Sequence, residues 1–264
     1  MSSLLVALVL GLVEGVTEFL PVSSTGHLIV AGHLLGFTGP GAATFEVVIQ
    51  LGAILAIVGL ERRRFLGLLR SSPGSAFSGL RGCGLLAATT APALAAGYLF
   101  HDVIKEHLFG PATVAWALFL GGIAILVVER YRPAVRIPDL DAIGWREAAV
   151  IGLWQCLALW PGVSRSGATI VGGLLCRLDR RAATTYSFLA AVPTMGAATL
   201  YDLYASRGSL QAADALPLLI GFLVSFVAAW AAVRTFVAML QRFTLRPFAW
   251  YRILVAPAVY WLVR

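Results

Sequence analysis

Charge is scarce in this sequence. Only 12% of its 264 residues are charged and 59% are hydrophobic, with a mean hydropathy of +0.85, whereas soluble domains carry about 25% charged residues. The shortage excludes an ordinary soluble domain and indicates a polytopic membrane protein. Apolar runs that approach the roughly 20 residues of a spanning helix predict membrane helices at about 44–60, 82–100, 111–128, 182–201, 215–240 and 247–263.

Cysteine is scarce as well. Cys83, Cys156 and Cys176 are odd in number and lie in apolar segments, so neither a disulfide framework nor a metal-ligand spacing follows, and we expect them to serve packing. The N-terminal apolar run lacks a basic region before it, so we expect no signal peptide. The net charge of +7 comes from arginines in short loops, a pattern that sets membrane topology and does not indicate a nucleic-acid partner.

Two stretches of the chain are versions of one another. GLVEGVTEFLPVSSTGHLI at 11–29 and GLWQCLALWPGVSRSGATI at 152–170 align without a gap, 141 positions apart. The alignment pairs Glu14 with Gln155, so polarity survives where identity is lost. A duplicated module with polar residues at membrane depth predicts a site near the midplane between two halves.

Loop charges predict the topology of the chain. The arginine-rich loops at 61–81, 129–146, 177–181 and 241–246 should be cytoplasmic, and the loops at 101–110 and 202–214 external. Between Arg146 and Arg177 the chain must leave the cytoplasm and return within about 30 residues, too few for two full spans. We therefore predict a re-entrant hairpin broken at Pro161–Gly162. The segment 1–40, broken at Pro21, should be a second hairpin that enters from the opposite face.

These inferences define a fold class. We predict an all-α polytopic membrane protein, a single membrane domain over 1–264 built as an inverted repeat. The first repeat spans 1–130 with its hairpin at about 4–36, and the second spans 146–264 with its hairpin at about 146–176. Three transmembrane helices follow each hairpin. Non-helical backbone at membrane depth is tolerated only where protein or a water-filled cavity covers it, so both hairpin tips should meet in the interior.

Glu14 and Glu18 are four residues apart and share one helix face. Two close carboxylates in a medium of low dielectric constant cannot both stay ionised, so one takes a proton or a cation lies between them. An ionised acid at the bilayer centre costs about 2.5–3.5 kcal/mol. That cost favours a functional pair over one kept for packing.

Both hairpin tips carry hydroxyl residues and glycine at the predicted start of a half-helix. Free N–H groups at such a start form an anion site, often occupied by phosphate. The predicted phosphate-binding residues are Ser23, Thr25, Gly26, Ser164, Ser166, Gly167 and Thr169. Helix capping is the alternative for Ser23, Ser166 or Thr169 taken singly. It does not explain Arg165, which suits bidentate phosphate contact, and we expect His27, beside the first cluster, to be catalytic.

Glu14-x-x-x-Glu18 running into PVSSTGH, and PGVSRSGAT at 161–169, resemble the two signature regions of the undecaprenyl-diphosphatase family, also called bacitracin-resistance proteins. The resemblance includes FEVVIQLGAI at 45–54 and YSFLAAVPTMGA at 186–197, and covers nearly the whole chain. It implies a multi-pass phosphatase of the bacterial inner membrane with its site toward the periplasm. That enzyme converts undecaprenyl diphosphate to the monophosphate lipid carrier of cell-wall synthesis.

The resemblance also implies roles for particular residues. Glu18, Ser24, His27 and Arg165 would be catalytic, and Glu14 with Glu18 would hold a divalent cation, Mg²⁺ or Ca²⁺. Three nucleophiles stay open: Ser24 activated by His27 or Glu18, which we favour, His27 itself, or a water held by Glu18.

Another class of function has the same architecture. Inverted repeats with broken helices are typical of secondary transporters, so a transporter or flippase for an anionic lipid headgroup is the alternative function. Assembly as a homodimer is left open by the sequence.

Overall fold

The computed structural model describes residues 3–70, 74–206, 215–240 and 242–263. The described residues form twelve α-helices: α1 Ser3–Thr17, α2 Ser24–Leu35, α3 Pro40–Leu60, α4 Arg62–Leu69, α5 Gly79–Leu99, α6 His101–Leu108, α7 Pro111–Tyr131, α8 Trp145–Cys156, α9 Arg165–Leu175, α10 Arg180–Ser206, α11 Ala215–Met239 and α12 Arg246–Leu262. A 3-10 turn at Leu157–Leu159 follows α8. The prediction of an all-α polytopic membrane protein is confirmed.

Four of the described helices are long and apolar enough to cross a membrane, namely α3 from Gly41, α5, α7 and α11. The other two predicted spans also form helices, α10 and α12. At 17 residues α12 is slightly short. Helix α10 is less apolar because protein surrounds it: Phe188, Leu189 and Ala190 on it are fully buried, and a helix shielded from lipid can carry polar side chains.

Two of the predicted loops contain helices that the sequence reading missed. Helix α4 occupies part of the loop at 61–81, and α6 occupies most of the loop at 101–110. Both are short, charged and amphipathic, so they lack the apolar length that reveals a span. Exposed Leu66 and Leu69 on α4 suit a helix that lies along a membrane surface. In the predicted loop at 202–214, residues 207–214 lie outside the described part.

Each duplicated motif forms two helices separated by a non-helical turn. Helix α1 ends at Thr17 and α2 begins at Ser24, with Pro21 between them. The second break lies between the 3-10 turn and α9 and contains Pro161. The residue before each second helix is a serine in the left-handed region, Ser23 with φ 70° and Ser164 with φ 73°. This conformation is uncommon outside glycine, and it recurs here 141 positions apart.

The duplication extends beyond the residues that align by identity. Gly36 after α2 has φ 65°, and Arg177, 141 positions later, has φ 68°. The N–H of Phe37 donates to the carbonyl of Gly32 at 2.8 Å, and the N–H of Leu178 donates to the carbonyl of Gly173 at 3.0 Å. These are the same helix-ending motif. The two hairpins therefore share a backbone course from the first helix to the end of the second.

The first helix of each hairpin packs on a helix from the other half of the chain. Helix α1 packs on α11 of the second half, and α8 packs on α5 of the first half. Glycine permits both contacts: a Cβ on Gly11 would lie 2.6 Å from the Gly221 carbonyl, and one on Gly152 would lie 2.7 Å from the Thr89 carbonyl. Reciprocal packing of this kind is what a duplication related by a two-fold axis produces.

Helix directions follow from the order of these contacts. Helices α1 and α11 are parallel, because Gly11 lies against Gly221 and Gly15 lies against Ser225. Helices α8 and α5 are also parallel, because Trp145 lies against Gly84 and Gly152 lies against Thr89. Helix α10 runs with α5, since Tyr186 bonds Leu85 and Thr194 bonds Thr90.

Helix α10 runs against α11. Phe188 near its start contacts Phe236 near the end of α11. Thr199 near its end bonds Gln50, close to where Gly52 on α3 meets Phe222 near the start of α11. Helices α1 and α8 therefore run in opposite directions. Entry of the two hairpins from opposite faces of the membrane stays a prediction. The repeat boundaries at 1–130 and 146–264 stay a prediction.

Candidate functional site

Glu18 lies where the two hairpins meet. It is in the turn after α1, while Arg165 is the first residue of α9. Arg165 Nη2 lies 3.1 Å from Glu18 Oε1, and the two side chains are only 11% and 7% exposed. The hydroxyl of Ser24, the first residue of α2, donates to Glu18 Oε2. One carboxylate thus accepts hydrogen bonds from the start of both second helices, and the structure brings together Glu18, Ser24 and Arg165, three of the four predicted catalytic residues.

Arg165 keeps hydrogen-bonding capacity beyond this ion pair. Its Nη1 donates to the Ser187 carbonyl at 3.3 Å, and Nη2 also contacts Met195 Sδ at 3.0 Å. Its Nε is buried and has no hydrogen-bond partner among the described residues. The Phe19 ring lies 5.2 Å from its Cζ. These contacts fix the guanidinium in place and leave donors that an incoming anion would satisfy.

Glu14 lies deeper than Glu18 and is 1% exposed. Its Oε1 is buried without a hydrogen-bond partner in the described residues. Its charged neighbours are Glu18, Glu46 and Arg165, so the surroundings of this carboxyl group hold two acids and one base. Sequence reasoning assigned Glu46 no role, although an acid in an otherwise apolar run was the signal for one.

The hydroxyls of the second tip are engaged by other protein groups, both within the tip and on neighbouring elements. Ser164 Oγ accepts from the Gly167 N–H at 3.1 Å and bonds Ser166 Oγ at 3.0 Å. Ser166 Oγ donates to the Leu20 carbonyl of the first hairpin at 2.9 Å, and Thr169 Oγ1 bonds Ser187 Oγ at 2.6 Å. These side chains cap α9 and join the hairpins, and their predicted phosphate-binding role stays a prediction.

The first tip has fewer such bonds. Ser23 makes no side-chain capping bond to α2, and Thr25 beside it is half-buried. Gly26 allows close packing, because a Cβ there would lie 3.2 Å from Leu118 Cδ1. Ser24 is engaged by Glu18, and the predicted phosphate-binding role of Ser23, Thr25 and Gly26 stays a prediction.

His27 is held away from the Glu18 cluster. Its Nδ1 lies 2.7 Å from the Ser23 carbonyl, and its Nε2 lies 2.6 Å from the hydroxyl of Tyr251 on α12. Among the described residues, no hydrogen bond links the ring to Glu18 or Arg165. The sequence placed His27 beside the first hydroxyl cluster; it lies one helical turn from Ser24, but its ring faces α12.

Arg252 on α12 forms hydrogen bonds to both hairpin tips and to helix α7. It is 1% exposed, and its donors meet five backbone carbonyls at 2.8–3.2 Å: Pro21, Gly162, Val163, Ala117 and Leu118. The guanidinium has five N–H groups, so each has an acceptor. The sequence analysis assigned Arg252 no role, although the cost of a charge at membrane depth was the available signal.

The second half does not repeat the acids of the first. Gln155, the counterpart of Glu14, donates to the Thr89 carbonyl at 3.1 Å and to Thr194 Oγ1 at 3.2 Å. These partners belong to a buried network of hydroxyls without charge. In the described residues, no group of three or more His, Cys, Asp or Glu side chains is arranged to hold a metal ion. The site is thus asymmetric, with acids from one hairpin and a guanidinium from the other.

An all-α polytopic membrane protein with a buried acid, arginine and hydroxyl cluster between two broken hairpins is the class that the fold and the site define. Comparison with known sequences identifies the family. The Bacitracin resistance protein BacA family matches residues 7–258, and the chain belongs to it.

Individual relatives match along their whole length. The Undecaprenyl-diphosphatase of Maridesulfovibrio salexigens is 57% identical over 259 residues, 98% of either chain. That of Nitratidesulfovibrio vulgaris is 57% identical over 263 residues, 100% of this chain and 99% of the relative. That of Solidesulfovibrio magneticus is 53% identical over 260 residues, 98% of either chain. The resemblance that the two motifs indicated is confirmed.

Proposed function

We propose that this protein hydrolyses undecaprenyl diphosphate to undecaprenyl phosphate and inorganic phosphate. The reaction recycles the lipid carrier of bacterial cell-wall synthesis and thereby confers bacitracin resistance. The observation that carries the proposal is the Glu18 carboxylate, which accepts from Ser24 of one hairpin and Arg165 of the other. A nucleophile, a base and a fixed cation are what phosphoryl transfer requires of a protein. Relatives 53–57% identical over nearly the whole chain bear the name of this activity.

The location of the site is part of the proposal. We place the protein in the bacterial inner membrane with its phosphate site toward the periplasm, as the family resemblance implies. The isoprenoid chain would stay in the bilayer. An apolar cavity of about 190 Å³ beside the second tip, lined by Trp154, Trp160 and Ala168 among others, supports a path for it. Assembly as a homodimer stays a prediction.

Ser24 is the nucleophile that the contacts favour. Its hydroxyl already donates to Glu18, so the proton can pass to that carboxylate as Oγ attacks the terminal phosphorus. The bond to the bridging oxygen then breaks and undecaprenyl phosphate leaves. Water attacks the phosphoserine, the proton returns to Oγ, and inorganic phosphate departs. Arg165 offsets the charge on the transferred phosphoryl oxygens. Attack by His27, or by a water held by Glu18, are the alternative routes.

Glu14 and Glu18 can supply some of the ligands that a divalent cation needs. The buried and unpartnered Oε1 of Glu14 is a suitable ligand, whereas both oxygens of Glu18 already accept hydrogen bonds. Mg²⁺ is commonly held by one or two carboxylates together with water and substrate phosphates. We therefore propose Glu14 as the main protein ligand and Glu18 as a second one. When bound, Mg²⁺ or Ca²⁺ would neutralise charge on the diphosphate.

Purified protein in detergent should release one phosphate per molecule of undecaprenyl diphosphate. We expect EDTA to reduce the rate strongly and added Mg²⁺ or Ca²⁺ to restore it. Phosphate is measured colorimetrically, and the lipid product by mass spectrometry. Detergent micelles offer no second compartment, so a transporter or flippase would leave the lipid unchanged. Intact diphosphate lipid after prolonged incubation would contradict the proposal.

Replacement of Ser24 by alanine removes the favoured nucleophile. We expect Ser24→Ala to lower kcat by about 10³-fold or more and to abolish a phosphoenzyme trapped by acid quench. The matched control is Ser225→Ala, which removes a buried hydroxyl on α11 that lacks a hydrogen-bond partner in the described structure and should leave turnover unchanged. Full activity in Ser24→Ala would assign the attack to His27 or water.

A further inference from the structure

The His27 ring is fixed at both of its nitrogens. Ser23 binds Nδ1 through its backbone carbonyl at 2.7 Å, and the Tyr251 hydroxyl lies 2.6 Å from Nε2. The planes of the two rings are within 4° of parallel, with centroids 5.6 Å apart. Two helices from different halves of the chain, α2 and α12, thus determine where this imidazole points.

The partners also determine where its proton lies. A carbonyl oxygen can only accept, so Nδ1 must carry the hydrogen in its bond to Ser23. In the neutral ring, Nε2 then has a lone pair and accepts from the Tyr251 hydroxyl. In the charged ring, Nε2–H donates to the same oxygen, because a phenol both donates and accepts. Tyr251 can therefore hold Nε2 in one position while the ring gains or loses a proton.

Arg252 does not compete for this position. It is the charged neighbour of His27 on α12, but its five N–H groups are directed at backbone carbonyls. The second half offers no equivalent, since the counterpart of His27, 141 positions later, is Ala168. The pairing of His27 with Tyr251 is thus a feature of the first hairpin alone.

We propose that Tyr251 is a positioning residue for His27. The Ser23 carbonyl keeps the proton of the neutral ring on Nδ1, and the Tyr251 hydroxyl holds Nε2 in place. Nε2 is then the nitrogen that takes a proton from the water that attacks the phosphoserine and returns it to the departing phosphate. The catalytic part of this inference rests on the proposed function. The structural part, the hydrogen bond between Tyr251 and Nε2, does not depend on it.

The experiment compares wild type with Tyr251→Phe, which removes one oxygen from a partly exposed side chain. Protein with ¹⁵N-labelled histidine is measured by NMR in detergent, and the His27 signals are assigned by their loss in His27→Asn. We expect Nδ1 to be protonated and Nε2 unprotonated in both proteins, and the Nε2 signal to move to higher frequency in the variant because its lone pair no longer accepts a hydrogen bond. We expect kcat to fall about five- to tenfold with KM changed less than twofold.

The control is Tyr98→Phe, the same chemical change at a side chain in α5 that is 82% exposed; it should alter neither signal nor rate. Unchanged ¹⁵N signals of His27 in Tyr251→Phe would overturn the inference, even if turnover fell, because the effect would then be one of packing. A shifted Nε2 signal without a change in kcat would remove Tyr251 from catalysis. If wild type releases no phosphate while the Nε2 signal still differs between wild type and Tyr251→Phe, the proposed function is refuted and the hydrogen bond is not.

Discussion

An Arg165→Ala variant should release phosphate about 10³-fold more slowly than wild type, or worse. The reason is that a fixed guanidinium on a transferring phosphoryl group contributes about 10³–10⁵ in rate. The same change leaves Glu18 buried without its counter-charge, which costs about 3–5 kcal/mol of stability. We therefore expect lower thermal stability as well, measured by the temperature at which the purified protein unfolds in detergent.

Stability and chemistry can be separated by a matched variant. Arg180 on α10 forms an ion pair with Glu129 on α7 through two hydrogen bonds, at 2.9 and 2.6 Å, and the Glu129 side chain is 1% exposed. Arg180→Ala should destabilise the protein to a similar extent but retain most of its turnover per folded molecule. If Arg165→Ala and Arg180→Ala lose activity equally, Arg165 acts through the fold and not on the phosphate.

Arg252→Ala should be among the most destabilising single substitutions in the chain. It removes the donors of five carbonyls, three in the hairpin tips and two on α7, and each buried acceptor left unpaired costs about 1–3 kcal/mol. We expect a loss of about 4 kcal/mol or more, seen as a large drop in the yield and unfolding temperature of the protein. Arg252→Lys, with three donors in place of five, should recover only part of it.

The control for this prediction is Arg246→Ala at the start of the same helix. Arg246 is exposed, so its loss should leave the unfolding temperature nearly unchanged. A stable and active Arg252→Ala protein would mean that water or a rearranged turn can satisfy the carbonyls. The tips would then be held together by Ser166 and the Glu18–Arg165 ion pair alone.

The features that could be predicted from the sequence are those that repeat along the chain and those that form or interrupt a long apolar run. The duplicated tips were visible because residues such as Gly11 and Gly152 are identical at a fixed offset, and the spans because apolar runs are long. The ion pair between Glu18 and Arg165 was predictable because a charge at membrane depth needs a partner. Helices α4 and α6 were missed since an amphipathic segment of eight residues has no apolar length to reveal it.

Contacts that join distant parts of the chain were beyond the sequence. Nothing in the local pattern around His27 indicates that its ring faces Tyr251, 224 residues away. The charge of Arg252 was evident from the sequence. Its partners were not, because they are backbone carbonyl groups, which every residue has. Which hydroxyls are free and which are engaged, as for Thr169, also depends on the relative placement of helices. Such details follow from packing, which pattern alone does not define.

The unequal chemistry of the two hairpins has an evolutionary consequence. Glu14, Glu18 and Ser24 come from one copy, and Arg165 comes from the other. Suppose that either copy assembled with a second molecule of itself. Two first copies would bring together Glu14 and Glu18 without an arginine, and two second copies would bring together Arg165 side chains without these acids. Because both copies lie in one polypeptide, they are always made in equal number. A change in either copy therefore affects a site that also needs the other copy.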